Sequence, residues 1–228
     1  MMPLRSDTSN IRVIITGATG MVGEGVLHVS LAHPDVERVL VINRKPCGVS
    51  HPKLVEILHQ DFFDLSPIEP QLTGYNACFF CLGVSSAGMK EAKYSRLTYD
   101  LTLHAASVLA RLNPDMVFSY VSGSGTDSSE RGRSMWARVK GKTENRLLLL
   151  PFKKAYMFRP GYIHPIKGMK NTHGYYAVLS LFYPFLKRFL PKYAVSLNEL
   201  GMAMIHTVNK GYDASILECE DIHRLAKP

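Results

Sequence analysis

The stretch Ile11–Gly23, reading IRVIITGATGMVG, limits what this chain can fold into more than any other. Ile11 and the run Val13–Thr16 are apolar or β-branched and lead straight into Gly17. A short apolar run of this kind suits a strand buried on both faces, as in a parallel sheet. Gly17, Gly20 and Gly23 follow at intervals of three, and Val22, Val26, Leu27, Val29 and Leu31 then recur at helical spacing. The order is strand, glycine turn, helix. A tight turn of this type calls for positive φ, which glycine adopts cheaply. A pyrophosphate reaching the helix N-terminus needs backbone with no Cβ in its way. Gly23 is expected to let the helix pack closely on its strand. A tight strand-to-helix turn with no ligand would ask for the same glycines.

The remaining chain repeats the alternation. Strands are expected at Val39–Ile42, Leu54–Leu58, Ala77–Leu82, Met116–Val121, Ala155–Phe158 and Ser215–Leu217. Between them lies a long helical pattern from Lys90 to Leu112, with Leu97, Leu101, Ala105, Val108, Leu109 and Leu112 at spacings of three and four. A second helix leads up to Pro151. Ser196-Leu197-Asn198-Glu199 has the S-x-x-E form of a capping box and opens another. The 228 residues, 46% of them hydrophobic, suffice for one sizeable core.

The net charge is +8, but Lys and Arg are spread along the chain. No pattern of a known nucleic-acid-binding module is present, so a nucleic-acid partner is not expected. The charge reads as solubility plus a preference for phosphorylated ligands. Cys78 and Cys81 have CxxC spacing inside a strand-like run. Side chains three apart on a strand point to opposite faces, so a metal or redox pair is not expected. The N-terminal MMPLRSDTSN lacks the apolar core of a secretory signal, and a cytoplasmic location is expected.

TGATGMVG differs from the dinucleotide fingerprint of dehydrogenases, because two residues separate its first two glycines. It resembles the TGxxGxxG signature of the extended and atypical short-chain dehydrogenase/reductase families. The GTDSS segment after the fifth strand, VKGKTEN, Phe158-Arg159-Pro160-Gly161 and the late ELGMAM strengthen the likeness, which is greatest to the Tat-interacting-protein-like branch. The resemblance implies an α/β fold, a doubly wound parallel-sheet Rossmann domain over 11–160 preceded by a tail, 1–10. Residues 161–228 would form a small, mostly helical substrate or lid region completing the same domain.

The resemblance also implies a cofactor site. Gly17, Thr19, Gly20, Met21, Val22 and Gly23 would hold the diphosphate. An NAD-preferring site carries an acidic residue after the second strand. Asn43 and Arg44 stand there instead, followed by Lys45, and a guanidinium suits a 2′-phosphate. NADP(H) is therefore expected over NAD(H), with a basic surface turn as the plain alternative. Asp61 and Phe62 occupy the place where the family holds adenine, although Asp61 also suits a helix cap. Cys81, Leu82 and Gly83 would pass beneath the nicotinamide ribose, and Pro160 and Gly161 would cradle the carboxamide. Ser122 is preferred over Ser124 as the hydroxyl that contacts the substrate.

The family's Tyr-x-x-x-Lys motif is broken. Lys140 has the lysine place, but Trp136 stands where the tyrosine belongs. An indole N–H donates a hydrogen bond but does not titrate usefully near neutrality. Tyr162, Tyr120, or Ser122 with water are the candidate proton donors. Two functions follow: an NADP(H)-dependent oxidoreductase or epimerase-like protein acting on a small carbonyl or alcohol, or a non-catalytic dinucleotide-binding regulator. The long helix ending at Leu112 would serve either a homodimer interface or plain core. The aromatic and basic stretch 175–190 suits a helix packed on the body, a lid, a dimer surface or peripheral membrane contact.

Overall fold

β1 (Ile11–Thr16) lies at the centre of the sheet because both its faces are apolar: Ile11, Val13, Ile14 and Ile15 are fully buried. The computed structural model describes residues 10–166, 168–169, 171, 183, 188 and 190–227. In chain order β2 (Val36–Asn43), β3 (Leu54–Leu58), β4 (Ala77–Phe80), β5 (Val117–Val121) and β6 (Lys154–Arg159) follow. β7 (Tyr162–His164) and β8 (Ala194–Ser196) form a separate parallel pair, and β9 (Ile216–Glu218) returns to the main sheet. That sheet has seven strands in the order β3-β2-β1-β4-β5-β6-β9, all pairings parallel.

Alternation along the strands divides the core in two. Val13, Ile15, Val39, Val41, Phe79 and Phe158 point to one face and pack against α1 (Met21–Ala32). Ile14, Leu40, Ile42, Cys78, Phe80 and Phe118 point to the other. That face is covered by α3 (Leu101–Leu112) and α4 (Met135–Leu147), and α2 (Glu91–Ser95) packs against α4. α5 (Leu197–Asn209) and α6 (Cys219–Leu225) join α1 on the first face. The α1–α5 contact is close because glycines stand at it. A Cβ on Gly201, within ELGMAM, would come 2.8 Å from the Val29 side chain. The capping box read at Ser196 is present: its Oγ accepts from the Glu199 N–H at 3.1 Å, and its own N–H donates to Glu199 Oε2 at 2.8 Å.

The sheet is the doubly wound Rossmann arrangement. β1 has β2 on one side and β4 on the other, so the winding reverses direction there and a crevice opens beyond the carboxyl ends of the strands. One expected element differs. The helical pattern from Lys90 to Leu112 is interrupted by a π turn at Arg96–Asp100. The extra residue of such a turn leaves the apolar spacing on either side intact, so periodicity does not report it. Thr98 is buried in this turn, and Lys142 of α4 sits 4.5 Å above the Tyr99 ring.

Candidate functional site

The turn after β1 is built around two contacts that no side chain could share. Gly17 has φ +73°, and a Cβ there would lie 2.8 Å from the Cys81 carbonyl oxygen. Gly23 brings α1 close to the turn at the end of β1: its Cβ would be 2.2 Å from the Gly17 carbonyl oxygen. Gly20 donates its N–H to that same oxygen at 2.9 Å and stands at the N-cap of α1. No side chain caps this helix, so the N–H groups of its first turn are left facing the crevice. A Cβ on Gly20 would meet nothing nearer than 3.4 Å, so its bareness serves the open side of the turn.

Three adjoining hollows run from this turn along the carboxyl ends of the strands. The inner one, about 470 Å³, is lined by Gly20, Met21, Val22, Cys81, Gly83, Ser122, Lys140, Pro160 and Gly161, all anticipated from sequence. Val84, Val121, Gly123 and Ile163 complete it and were not anticipated. The middle hollow, about 290 Å³, shares Gly83 and Val84 with the first and includes Asp61, Phe62 and Leu82. The outer one, about 750 Å³, shares Arg44 and Gln60 with the middle and adds Thr19, Lys45, Cys47, Gly48 and Asn171. Asn171 was not anticipated either. Its N–H donates at 2.9 Å to Glu24, a buried carboxylate in the first turn of α1. Together the hollows form an elongated trough across the switch point.

Asn43 is buried, and its amide donates to Glu56 Oε1 at 2.8 Å. The same oxygen accepts the Cys47 N–H at 2.9 Å. Burial pushes the Glu56 carboxyl up, but these hydrogen bonds outweigh it and hold the group below its ordinary value. Glu56 thus pins both ends of the turn 43–47 and leaves Arg44 and Lys45 exposed at the outer hollow. The Arg44 carbonyl is held by Gln60 Nε2 at 2.7 Å. Asp61 spends one oxygen on the Phe63 N–H at 2.8 Å, and the Phe62 ring is buried in the core. At Phe62 only the backbone is left to face a ligand.

At the inner end Lys140 reaches across from α4 and donates to the Ser122 carbonyl oxygen. Burial lowers its ammonium to about 8, with the charge of Glu144 opposing the shift. The Ser122 hydroxyl donates to the Phe158 carbonyl at 3.1 Å, away from Lys140. Trp136 lies outside the trough lining; its six-membered ring rests about where a Gly125 Cβ would contact it, at 3.6 Å. Burial raises the Tyr120 phenol far above its ordinary value, and the side chain is enclosed in the core. Tyr162 also sits outside the lining, and burial raises its phenol too.

A buried ion pair fixes α4 to the sheet one turn beyond Lys140. Glu144 has no solvent exposure. Arg159 of β6 donates Nε to both its oxygens, at 3.1 and 3.2 Å, and Nη2 to Oε2. The remaining guanidinium protons reach Ser128 Oγ at 2.6 Å and Glu218 of β9 at 3.4 Å. Arg159 directly follows the expected strand Ala155–Phe158, where a charged residue gives no sequence sign that it is buried in this network. The aromatic stretch 175–190 lies outside the described residues, except for Tyr183, Arg188 and Leu190. The Tyr183 ring stacks on His164 with centroids 3.9 Å apart.

No family model matches the chain. Protein fmp52, mitochondrial, of Emericella nidulans is 32% identical over 158 residues, which span 66% of this chain and 66% of that protein. Protein HTATIP2 of Rattus norvegicus is 27% identical over 165 residues, 71% of this chain and 67% of the relative. The matches thus span about two thirds of each relative. Among solved structures, ADP-L-glycero-D-manno-heptose-6-epimerase of Helicobacter pylori superimposes with a TM-score of 0.65 at 14% identity, over 97% of this chain and 83% of that one. The Bordetella bronchiseptica enzyme WbmF, in complex with NAD+, gives 0.64 at 15% identity, covering 97% and 78%. At these identities the structures establish the fold.

The expected cytoplasmic location is overturned. The relatives from Emericella nidulans, Aspergillus oryzae and Scheffersomyces stipitis are all named as mitochondrial proteins. An organelle address is read by a receptor and is not written in fold chemistry, so excluding a secretory signal did not exclude another destination.

Proposed function

We propose that this chain, which shares its fold with the epimerase structures and resembles fmp52 and HTATIP2 over about two thirds of their length, is an atypical short-chain dehydrogenase/reductase that binds NADP(H) and exchanges hydride with a small carbonyl or alcohol substrate. The observation that carries this reading is the trough itself: an uncapped helix start, a bare Gly20 and an elongated hollow joined end to end across the switch point. The diphosphate would rest on the N–H groups of α1 beside Thr19–Val22. Adenine would enter the middle hollow beside Asp61, the Phe62 backbone and Leu82. Nicotinamide would lie in the inner hollow over Cys81–Gly83, with Pro160 and Gly161 at its carboxamide. When bound, this group supplies or accepts the hydride. Lys140 would hold the nicotinamide ribose, and the Ser122 region would face the substrate.

A preference for NADP(H) rests on Arg44 and Lys45, which present two exposed cations at the outer hollow with no carboxylate among the described residues of its lining. Arg44→Ala is expected to weaken NADPH binding by about 10- to 100-fold, the worth of one or two charge-assisted hydrogen bonds, and NADH binding by less than about threefold. Competitive fluorescence titration measures both. Equal losses for the two nucleotides would remove the 2′-phosphate assignment. The fungal relatives' names support a mitochondrial location for this protein as well.

The second reading, a dinucleotide-binding regulator without turnover, is favoured by one observation: Trp136 replaces the motif tyrosine and lies outside the trough lining. NADPH oxidation against a panel of small aldehydes, ketones and quinones separates the two. Turnover with any member supports the oxidoreductase. Tight NADPH binding with no turnover across the panel supports the regulator.

A further inference from the structure

The missing phenol leaves open which group moves the proton that accompanies hydride. The inner hollow answers by elimination. Of the described residues lining it, Cys81 and Lys140 are the ones whose side chains titrate. Burial pushes the Cys81 thiol up to about 12, which makes it a poor donor near neutral pH. The Ser122 hydroxyl directs its proton into the sheet, at the Phe158 carbonyl. Tyr120 is enclosed in the core, and the Tyr162 hydroxyl is buried outside the lining, beside the strand neighbour Ile163 that does line it. Strand alternation sends these two neighbouring side chains to opposite faces.

Resting on the oxidoreductase reading, we propose that Lys140 is itself the proton donor and acceptor, in place of the tyrosine. In carbonyl reduction a reduced dinucleotide, held at Thr19–Val22 and Lys140, would supply the hydride that forms the C–H bond at the carbonyl carbon. The carbonyl oxygen takes a proton from Lys140 Nζ, forming the O–H bond, and the neutral amine recovers its proton from water. Alcohol oxidation reverses each transfer. The geometry suits the role. One Nζ proton is anchored on the Ser122 carbonyl, which orients the remaining two from the hollow's wall. The groups around the amine also suit it. Glu144 lies one turn further on α4, but its charge is bound by Arg159 of β6, and Cys81 faces the hollow from the end of β4 as a neutral thiol. Tyr120 of β5, near Glu144, is held neutral by burial. A lysine lowered to about 8 by burial is matched to acid–base work near neutral pH.

Two measurements test this. In the first, surface and buried lysines of the apo protein are reductively 13C-methylated and their resonances followed from pH 6 to pH 11, with Lys140→Met identifying the signal. Lys140 is expected to titrate near pH 8, well below the other lysines; titration with the rest overturns the proposal. The second follows NADPH oxidation with 9,10-phenanthrenequinone as the probe. Wild-type kcat is expected to fall above about pH 8, because reduction needs the charged amine. Lys140→Arg keeps a cation but gives up no proton, so kcat should drop at least about 100-fold while NADPH Kd changes by less than about fivefold. A variant retaining a tenth or more of kcat, or a flat wild-type profile to pH 10, overturns the assignment alone. Wild type that binds NADPH and reduces no quinone overturns the oxidoreductase reading, and the assignment with it. If Lys140→Arg does not fold, the amine titration and the wild-type pH limb decide.

Discussion

Gly23→Ala is expected to abolish dinucleotide binding and to lower stability, although local preference predicts the opposite. Alanine in a helix interior is favoured over glycine by about 1 kcal/mol. Against that, the new methyl would lie 2.2 Å from the Gly17 carbonyl oxygen, 2.4 Å from its carbon and 2.8 Å from Ala18 N. All three are backbone atoms of the glycine turn and have no rotamer to change. The turn must leave α1, and the Gly20 N–H to Gly17 bond at 2.9 Å goes with it. A loss of NADPH affinity of at least about 100-fold, near 2.8 kcal/mol, is expected. Gly20→Ala separates the two roles of the motif. Its Cβ meets only the Gly17 oxygen, at 3.4 Å, and its φ of −108° is open to any residue, so the fold should tolerate it. The methyl would stand on the ligand side of the turn. Gly20→Ala should therefore keep Tm within about 2 °C, a shift worth under ~1 kcal/mol, yet lose affinity. Gly23→Ala with unchanged affinity would contradict this account of the turn.

Glu144→Ala should produce the largest loss of stability among single side-chain changes at the site. The carboxylate is fully buried and carries the Arg159 guanidinium. Removing one partner of such a pair leaves an uncompensated charge and costs about 3–5 kcal/mol. For a chain of this size that corresponds to a fall in Tm of roughly 6–20 °C, readable by calorimetry. Glu218, about half exposed, is the remaining carboxylate partner of Arg159 among the described residues and cannot replace Glu144. The double variant Glu144→Leu with Arg159→Met should be less destabilised than either single change, because it buries no charge. A single-variant cost under about 1 kcal/mol would show that water reaches the pair and that it does not clamp α4 to β6.

The sheet and the glycine turn were legible because their signals are local and repeated. Apolar runs such as Val13–Thr16 and Ala77–Phe80 report strands buried on both faces, and the glycine spacing between β1 and α1 reports the turn. The capping box at Ser196 was legible for the same reason. What escaped were relations between distant segments. Gly23 was expected to bring the helix close to its strand; that the contact falls on the Gly17 carbonyl, one residue past the end of β1, is something a linear pattern cannot indicate. Asn43 stands at the cofactor position after β2, and its hydrogen bond to Glu56, thirteen positions away on β3, is not visible in a linear pattern. The Glu144–Arg159 pair joins a helix to a strand with no periodic sign. The π turn hides because it adds one residue without disturbing the apolar spacing on either side. Of the inner hollow, sequence named Gly20, Gly83, Gly161, Ser122 and Lys140 among others but not Gly123; Val121 and Ile163 are apolar strand residues indistinguishable in sequence from core.

The central claim is that the trough across the switch point receives a pyridine dinucleotide with its 2′-phosphate at Arg44. Isothermal titration calorimetry of NADPH and NADH on one preparation of the wild-type protein tests it most directly. The account predicts saturable one-to-one binding of both, with NADPH tighter by at least about tenfold, near 1.4 kcal/mol. Failure of both nucleotides to bind at millimolar concentration, by a protein whose cooperative thermal unfolding shows it to be folded, would contradict it.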